Sequence, residues 1–376
     1  MIYLDNAATS LYRPESVIRA VSEAMCSMGN VGRGASESAL GAARIVYAAR
    51  EKLCAFFGGA DPSRVCFTQN STEALNTAIF GLLHPGDHVI STDLEHNSVL
   101  RPLYRLEQAG AEVTFLRADK RGCIDYAELP RALRKNTRAI VCTHASNLTG
   151  NALDVSRIGA FAREHGLLFI LDASQTAGSF DLNAQRDGVS VLCFTGHKGM
   201  MGPQGTGGLI AAPGVEIAPL KTGGTGVQSY RHFQPEEYPT RLESGTLNGH
   251  GIAGLSAAVD FLNAVTPAAI HAHETALMTA FYNKVSAVPD VTVYGDFTQN
   301  RAPIVALNIG TMDSGEVAEI LSDDYGIAVR SGAHCAPRMH EALGTVAQGA
   351  VRFSFGWFNT MEEAERAADA VREIAL

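Results

Sequence analysis

The sequence lacks the features that mark several classes of protein. No uninterrupted apolar run approaches the roughly 20 residues needed to cross a bilayer. The first residues have neither the cationic region nor the apolar stretch of a signal peptide. The formal net charge is −9, so there is no basic excess to attract nucleic acid or an anionic membrane. These absences predict a cytoplasmic protein that binds neither nucleic acid nor membrane.

The seven cysteines include no Cys-x-x-Cys pair, which argues against a disulfide framework and a zinc ribbon. Cys335 differs from the others because residues 330–338 read as a loop that also carries Arg330, His334 and Arg338. Cationic neighbours and partial exposure are typical of a reactive thiol. His334 and His340 flank this cysteine at irregular spacing without a second cysteine nearby, so no metal site is predicted.

At 376 residues, with 46% hydrophobic and 18% charged residues, the chain is long enough for a large core and for two domains. From residue 42 onward, helical periodicity alternates with continuously apolar runs. This pattern predicts an α/β protein with a mainly parallel sheet covered on both faces. After residue 250 the pattern changes. We therefore expect a large α/β domain at residues 16–250 and a smaller α+β domain formed by residues 1–15 and 251–376.

Ligands of such sheets collect at the carboxyl ends of the strands. An apolar run ends at Asp172, and Lys198 follows the end of another. A lysine can hold the aldehyde of pyridoxal phosphate (PLP) as a Schiff base, while an acid keeps the pyridine nitrogen protonated. The pair therefore predicts a PLP site, to which four further residues at or after strand ends are expected to belong: Ser71, Asn147, Gln175 and His197.

Several motifs have two interpretations. Ser71 and Thr72 open a helix after a strand, where they could bind phosphate or merely cap the helix. His96 could stack on a cofactor ring or be an ordinary polar loop residue. Arg352, inside an apolar strand, could bind a substrate carboxylate or form a structural salt bridge. The glycines of residues 202–208 lack the strand-turn-helix spacing of a dinucleotide site, so we expect them to form a tight turn beside Lys198.

Taken together, these motifs resemble the class V aminotransferase superfamily of PLP fold-type I enzymes, particularly its cysteine desulfurase and selenocysteine lyase branch. The loop around Cys335 is similar to that of group II desulfurases. The resemblance implies a PLP-dependent transferase fold with a mainly parallel, seven-stranded type of sheet. The segments that carry it are residues 3–9, 71–73, 95–97, 146–147, 172–175, 195–198, 243–246, 330–336 and 358–360, together with Arg352.

The resemblance also implies roles for individual residues. Lys198 would bind the cofactor and move protons, and Cys335 would be the nucleophile. Asp172 would pair with the pyridinium, Gln175 would contact the ring hydroxyl, and His96 would stack on the ring and take part in catalysis. Phosphate would be held by Ser71, Thr72 and His197, with Thr246 from a second subunit; the substrate carboxylate would be held by Asn147 and Arg352, beside Arg330.

The implied reaction converts L-cysteine to L-alanine and leaves the sulfur on Cys335 as a persulfide. The implied partners are a second copy of the chain and a sulfur-acceptor protein. Selenocysteine lyase activity, another PLP-dependent lyase or aminotransferase reaction, and a non-catalytic PLP-binding role remain alternatives. Loss of sulfide release on replacing Cys335 would distinguish a desulfurase from a lyase that needs no thiol.

Overall fold

The computed structural model describes residues 1–29 and 36–376. Its strands are β1 (Ile2–Tyr3), β2 (Val65–Thr68), β3 (His88–Thr92), β4 (Glu112–Leu116), β5 (Thr137–Thr143), β6 (Leu168–Asp172), β7 (Val191–Thr195), β8 (Gly207–Ala211), β9 (Val291–Tyr294), β10 (Ile304–Ile309), β11 (Ile327–Ala328), β12 (Arg330–Gly332) and β13 (Ala350–Ser354). Its helices are α1 (Glu15–Ser27), α2 (Glu37–Phe56), α3 (Ser71–Leu82), α4 (Asn97–Gln108), α5 (Glu128–Ala132), α6 (Val155–Glu164), α7 (Gly249–Val265), α8 (Pro267–Val285), α9 (Ser314–Asp323), α10 (Pro337–Leu343) and α11 (Met361–Ile374), with a 3₁₀ turn at Pro62–Arg64.

A seven-stranded sheet carries the larger part of the fold, in the order β2-β8-β7-β6-β5-β3-β4. The strand β8 runs antiparallel to both neighbours, and the other pairings are parallel. The prediction of a mainly parallel sheet in an α/β fold is therefore confirmed.

The central strands are apolar throughout because both faces of this sheet are covered. Successive side chains of a strand point to opposite faces. In β6, Phe169 and Leu171 join one buried cluster, while Ile170 joins the cluster on the other face. This explains why the sequence shows continuous apolar runs rather than alternation.

Two smaller sheets lie outside the seven-stranded one. The antiparallel sheet β12-β13-β10-β9 packs with α8, α9 and α11 around a third apolar cluster. The strand β1 pairs in parallel with β11, so the N-terminal residues pack against the C-terminal part of the chain. The domain limits at residues 15 and 250 remain a prediction.

The prediction that residues 330–338 form a loop is wrong at both ends. Arg330–Gly332 is a strand because it pairs with β13, Arg330 lying opposite Arg352, and this long-range pairing has no local signal. Pro337 begins α10, where the fixed φ of proline and its missing N–H suit the first helical turn. Only residues 333–336 form the connection that carries Cys335.

No single helix in the described part of the chain is long and apolar enough to cross a membrane. By length and composition α7 and α8 would pass this test together, but the chain bends by 79° between them.

Candidate active site

A polar pocket lies at the carboxyl ends of three neighbouring strands, where Thr143, Asp172 and Thr195 end β5, β6 and β7. Its empty volume, including the mouth, is about 840 Å³, which is in the range of cofactor pockets. The predicted site residues that line it are Ser71, Thr72, His96, Asn147, Asp172, Gln175, His197, Lys198, Arg330 and Arg352. Cys335 and Thr246 do not line it.

Asp172 is buried, and one of its carboxylate oxygens is firmly held. Oδ1 accepts hydrogen bonds from the Ser174 N–H at 3.0 Å, the Ser174 hydroxyl at 2.5 Å and the Ser71 hydroxyl at 3.2 Å. No hydrogen bond from the described residues reaches Oδ2. The carboxylate is thus fixed in orientation while keeping an acceptor for a ligand.

Lys198 lies in the connection between β7 and β8. The Ser10 N–H and hydroxyl donate to the carbonyls of His197 and Lys198, each at 2.9 Å, and hold this connection in place. Burial, together with the charges of Arg352 and Arg330, lowers the pKa of the Lys198 amine to about 8, although the charge of Asp172 opposes the shift. A substantial neutral fraction near pH 7 is what a lysine nucleophile needs.

The N-terminus of α3 faces the same pocket. Asn70 caps this helix, since its Oδ1 accepts from the Glu73 N–H at 3.0 Å, so the interpretation of Ser71 or Thr72 as the cap is wrong. As at any helix start, the first N–H groups lack an intrahelical acceptor and attract anions. Gly207 lets β8 pass this turn, because a Cβ there would lie 2.8 Å from the Asn70 backbone.

His96 caps α4 and is neutral. Its Nδ1 accepts from the Ser98 N–H at 3.0 Å, which leaves the ring proton on Nε2. Burial, with the Lys198 charge second, lowers the pKa of His96 to about 4. Burial also lowers the pKa of His197 to about 4, and its Nδ1 lies 3.1 Å from the Thr9 hydroxyl. Both rings therefore act as hydrogen-bonding groups rather than as cations.

Arg352 forms the structural salt bridge of one interpretation and also lines the pocket, while its binding of a substrate carboxylate stays a prediction. It is 1% exposed and donates to the Asn147 carbonyl at 2.9 Å and to Asp5 Oδ1 at 2.7 Å. Its Nε is buried without a partner among the described residues. Asp5 thus orients the guanidinium group.

The Asn147 side chain contacts the connection of residues 333–336 that carries Cys335, here called the cysteine loop. Its Nδ2 donates to the His334 carbonyl at 2.6 Å, and the Asn97 N–H donates to the Cys335 carbonyl at 2.8 Å. His334 and Cys335 have φ values of 51° and 56°, a left-handed conformation that is strained for residues other than glycine. Two donors beside the large sheet therefore hold a strained loop.

Cys335 is half-buried, and the preceding residue, His334, lines the pocket. Two of the three predicted cationic neighbours do not offer it a free positive charge. Arg338 is paired with Asp93 at 2.8 Å. Burial, with Arg352 second, lowers the pKa of His334 to about 3, so the ring is neutral.

Thr246 lines a separate pocket with Lys221 and Glu243, on the far side of the α3 N-terminus. The buried ion pair between Arg50 and Glu243, at 2.5 Å, fixes the start of this segment. A contribution of Thr246 to the main pocket would need a second chain and stays a prediction.

Some contributors to the site were not predicted individually. Ser174 and Ser98 lie two residues after Asp172 and His96, whose side chains accept a hydrogen bond from the serine N–H. This spacing is typical of side chain-to-backbone turns, so the sequence could have indicated both serines. Thr195 and Asp5 give no comparable signal. The Thr195 hydroxyl is buried without a partner among the described residues.

The residues present fit PLP. The pocket offers a lysine amine of lowered pKa, a carboxylate with a free acceptor, the start of α3, and a neutral imidazole on its wall. In the described part of the chain, no group of three or more His, Cys, Asp or Glu side chains is placed to hold a metal ion.

A mostly parallel seven-stranded sheet with this site at its strand ends is the arrangement of PLP fold-type I enzymes. Residues 2–367 match the family "Aminotransferase class-V". The chain belongs to this family.

Similar proteins are consistently named cysteine desulfurases. One relative is "Probable cysteine desulfurase" from Methanothermobacter thermautotrophicus, 36% identical over 381 residues that cover 100% of this chain and 94% of the relative. The apo structure of a cysteine desulfurase from Thermococcus onnurineus superposes with a TM-score of 0.94 at 32% identity, covering 100% of this chain and 94% of that one. A cysteine desulfurase from Escherichia coli, with an S-sulfonic acid, gives 0.89 at 28% identity, covering 99% and 94%.

Proposed function

We propose that this protein is a PLP-dependent cysteine desulfurase, which converts L-cysteine to L-alanine and takes the sulfur onto Cys335. The observation that carries the proposal is the shared location of Lys198, Asp172 and Arg352 in one pocket, with the strained Cys335 loop fastened to its wall. The consistent naming of the relatives supports the same reaction.

The cofactor would be held at five points. Lys198 would bind its aldehyde carbon, Asp172 its pyridinium nitrogen and Gln175 its ring hydroxyl, with the neutral His96 ring stacked on its face. Ser71, Thr72 and His197 would hold the phosphate. When bound, PLP supplies the electron sink that stabilises negative charge on the substrate Cα.

The substrate would be oriented by its carboxylate. Arg352 offers a buried guanidinium group already aligned by Asp5, and Arg330 adds a second positive charge on the pocket wall. Lys198, with its pKa near 8, would take the proton from Cα and return one to the product. Proton transfer is efficient when the pKa of the group is close to the working pH.

Sulfur transfer would use the Cys335 thiolate. Its Sγ forms a bond to the substrate sulfur while the substrate Cβ–S bond breaks, and Cβ gains a proton to give alanine. One L-cysteine and one thiol thus yield one alanine and one persulfide, with no outside oxidant. The half-buried position beside the pocket suits a nucleophile that must afterwards pass its sulfur to an acceptor.

The active form would be a homodimer, because Thr246 lies outside the pocket of its own chain. A sulfur-acceptor protein would discharge the persulfide. A cytoplasmic location would suit an enzyme whose nucleophile is a reduced thiol.

The test is to incubate the purified protein with PLP and L-cysteine and to quantify alanine and sulfide. We expect Lys198→Ala to lose all turnover and Cys335→Ser to lose sulfide release. The matched control is Cys123→Ser, which replaces another half-buried thiol and is expected to keep activity.

Other outcomes would point elsewhere. Turnover that survives Cys335→Ser would favour a lyase that needs no thiol, and a strong preference for selenocysteine would favour a selenocysteine lyase. Binding of PLP without conversion of any amino acid would refute an enzymatic role.

A further inference from the structure

A second pocket lies next to the active-site pocket, and the N-terminal segment lines both. It shares Ala7, Gln175 and Lys198 with the cofactor pocket and has an empty volume, including its mouth, of about 610 Å³. Its wall also includes Tyr12, Glu274 on α8, and the aromatic residues 355, 357 and 358, none of which lines the cofactor pocket.

The feature that sets this pocket apart is the side chain of Glu274. It lines the pocket yet is only 4% exposed. No lysine, arginine or histidine of the described residues forms an ion pair with it, and the backbone N–H of Trp357 is the group that stabilises its charged form. Burial raises its pKa to about 8, so the carboxyl group is mostly protonated near pH 7. Because a buried carboxylate without a counter-ion is costly, a cation bound beside it would favour release of this proton.

Two of the other polar groups of the pocket are engaged with the protein. The Tyr3 hydroxyl donates to the Thr9 carbonyl at 2.9 Å, and the Asn6 amide donates to Asn359 at 3.0 Å. Among the described residues that line the pocket, Glu274 is the acidic one.

Aromatic rings supply the remaining surface. Trp357 is held edge-on by His273, with ring centroids 5.1 Å apart, while Tyr12 and Phe358 are exposed at the mouth. Aromatic faces attract organic cations, and Glu274 provides the opposite charge when it is ionised. Both features favour a positively charged ligand.

We propose that this pocket is a second ligand site, which binds a small organic cation of the ammonium or guanidinium class with Glu274 as its counter-ion. The test reads cation binding, so it does not depend on the desulfurase reaction.

The probes are choline and methylguanidinium, neither of which has a primary alkylamine to condense with the cofactor aldehyde. Trp357 is the single tryptophan of the chain, so its fluorescence reports directly on the pocket, and calorimetry gives the stoichiometry. The holoenzyme is titrated at pH 9, above the pKa of Glu274, and at constant ionic strength, and 3,3-dimethyl-1-butanol serves as the neutral isostere of choline.

We expect saturable binding of at least one of the two cations, one per chain, with a change in Trp357 emission. If choline binds, the neutral isostere should bind at least about tenfold more weakly. Glu274→Gln, which keeps the shape of the side chain, should weaken binding of the cation by a similar factor. Glu316→Gln, on the exposed face of α9, is the control and should change nothing.

Three results would overturn the proposal: no saturable binding of either cation below about 10 mM, equal affinity for choline and its isostere, or full cation affinity in Glu274→Gln. If Glu274→Gln does not fold, as judged by circular dichroism and cofactor absorbance, Trp357→Leu replaces it, read by calorimetry. Unchanged affinity in that variant would equally refute the site.

Discussion

Replacing Asn147 separates two roles for this side chain. The resemblance to the family implies that Asn147 holds the substrate carboxylate, whereas the structure shows its amide donating to the His334 carbonyl at 2.6 Å. A loss of carboxylate binding would appear in KM, and a loss of loop positioning would appear in kcat. Asn147→Ala therefore gives different kinetics under the two interpretations.

The expected size of the effect follows from the loop geometry. His334 and Cys335 are both left-handed, at a cost on the order of 1–3 kcal/mol each. Removing the amide leaves a buried carbonyl without its donor, which costs about 1–3 kcal/mol. Since about 1.4 kcal/mol corresponds to tenfold, we expect kcat for alanine formation to fall about tenfold or more, with KM changing less than about twofold.

The assay is steady-state alanine formation over a range of L-cysteine concentrations, with cofactor content checked by absorbance. Asn136→Ala is the matched control, because that amide also donates to a carbonyl, of Gly86 at 2.9 Å, but on the exposed surface. A higher KM with unchanged kcat would refute the positioning role and restore the carboxylate assignment.

Three further predictions concern the cofactor, the substrate and the second chain. Because the pKa of Lys198 is lowered to about 8, the rate at which the apoprotein takes up PLP should rise with pH and level off above pH 8; a rise continuing to pH 10 would contradict this. Arg352→Ala should raise KM for L-cysteine at least about tenfold, and an unchanged KM would reduce Arg352 to a partner of Asp5. Thr246→Ala should weaken cofactor binding, and mixing that chain with a Lys198→Ala chain should restore normal affinity at one of the two sites of each mixed dimer; failure to do so would argue against a contribution across the interface.

Much of the fold could be predicted because its signals are local. The strand Leu168–Asp172 lies where the sequence shows an apolar run that ends at Asp172, since a buried parallel strand is a short apolar run between polar turns. The helix Glu15–Ser27 was not predicted, although Val17 and Ala24 mark its buried face. The strand Arg330–Gly332 depends on pairing with residues 20 positions away, which local pattern does not reveal.

The site residues divide in the same way, into those with a local sequence signal and those positioned by long-range contacts. Asp172 and Lys198 could be found because they follow apolar runs, and strand ends meet at one edge of the sheet. The partners of Arg352 and of the cysteine loop could not be found in this way. Asp5 lies 347 positions from Arg352, and Asn147 lies 187 positions from His334. Such contacts depend on how the smaller sheets pack against the large one.

The first ten residues connect the two halves of the site. Ile2 and Tyr3 pair with β11, and Asp5 aligns the guanidinium group of Arg352. A few residues later, Ser10 holds the connection that carries Lys198. One short segment therefore contacts both Arg352 and the backbone of Lys198. Under the proposed function, this segment would couple substrate orientation to cofactor attachment.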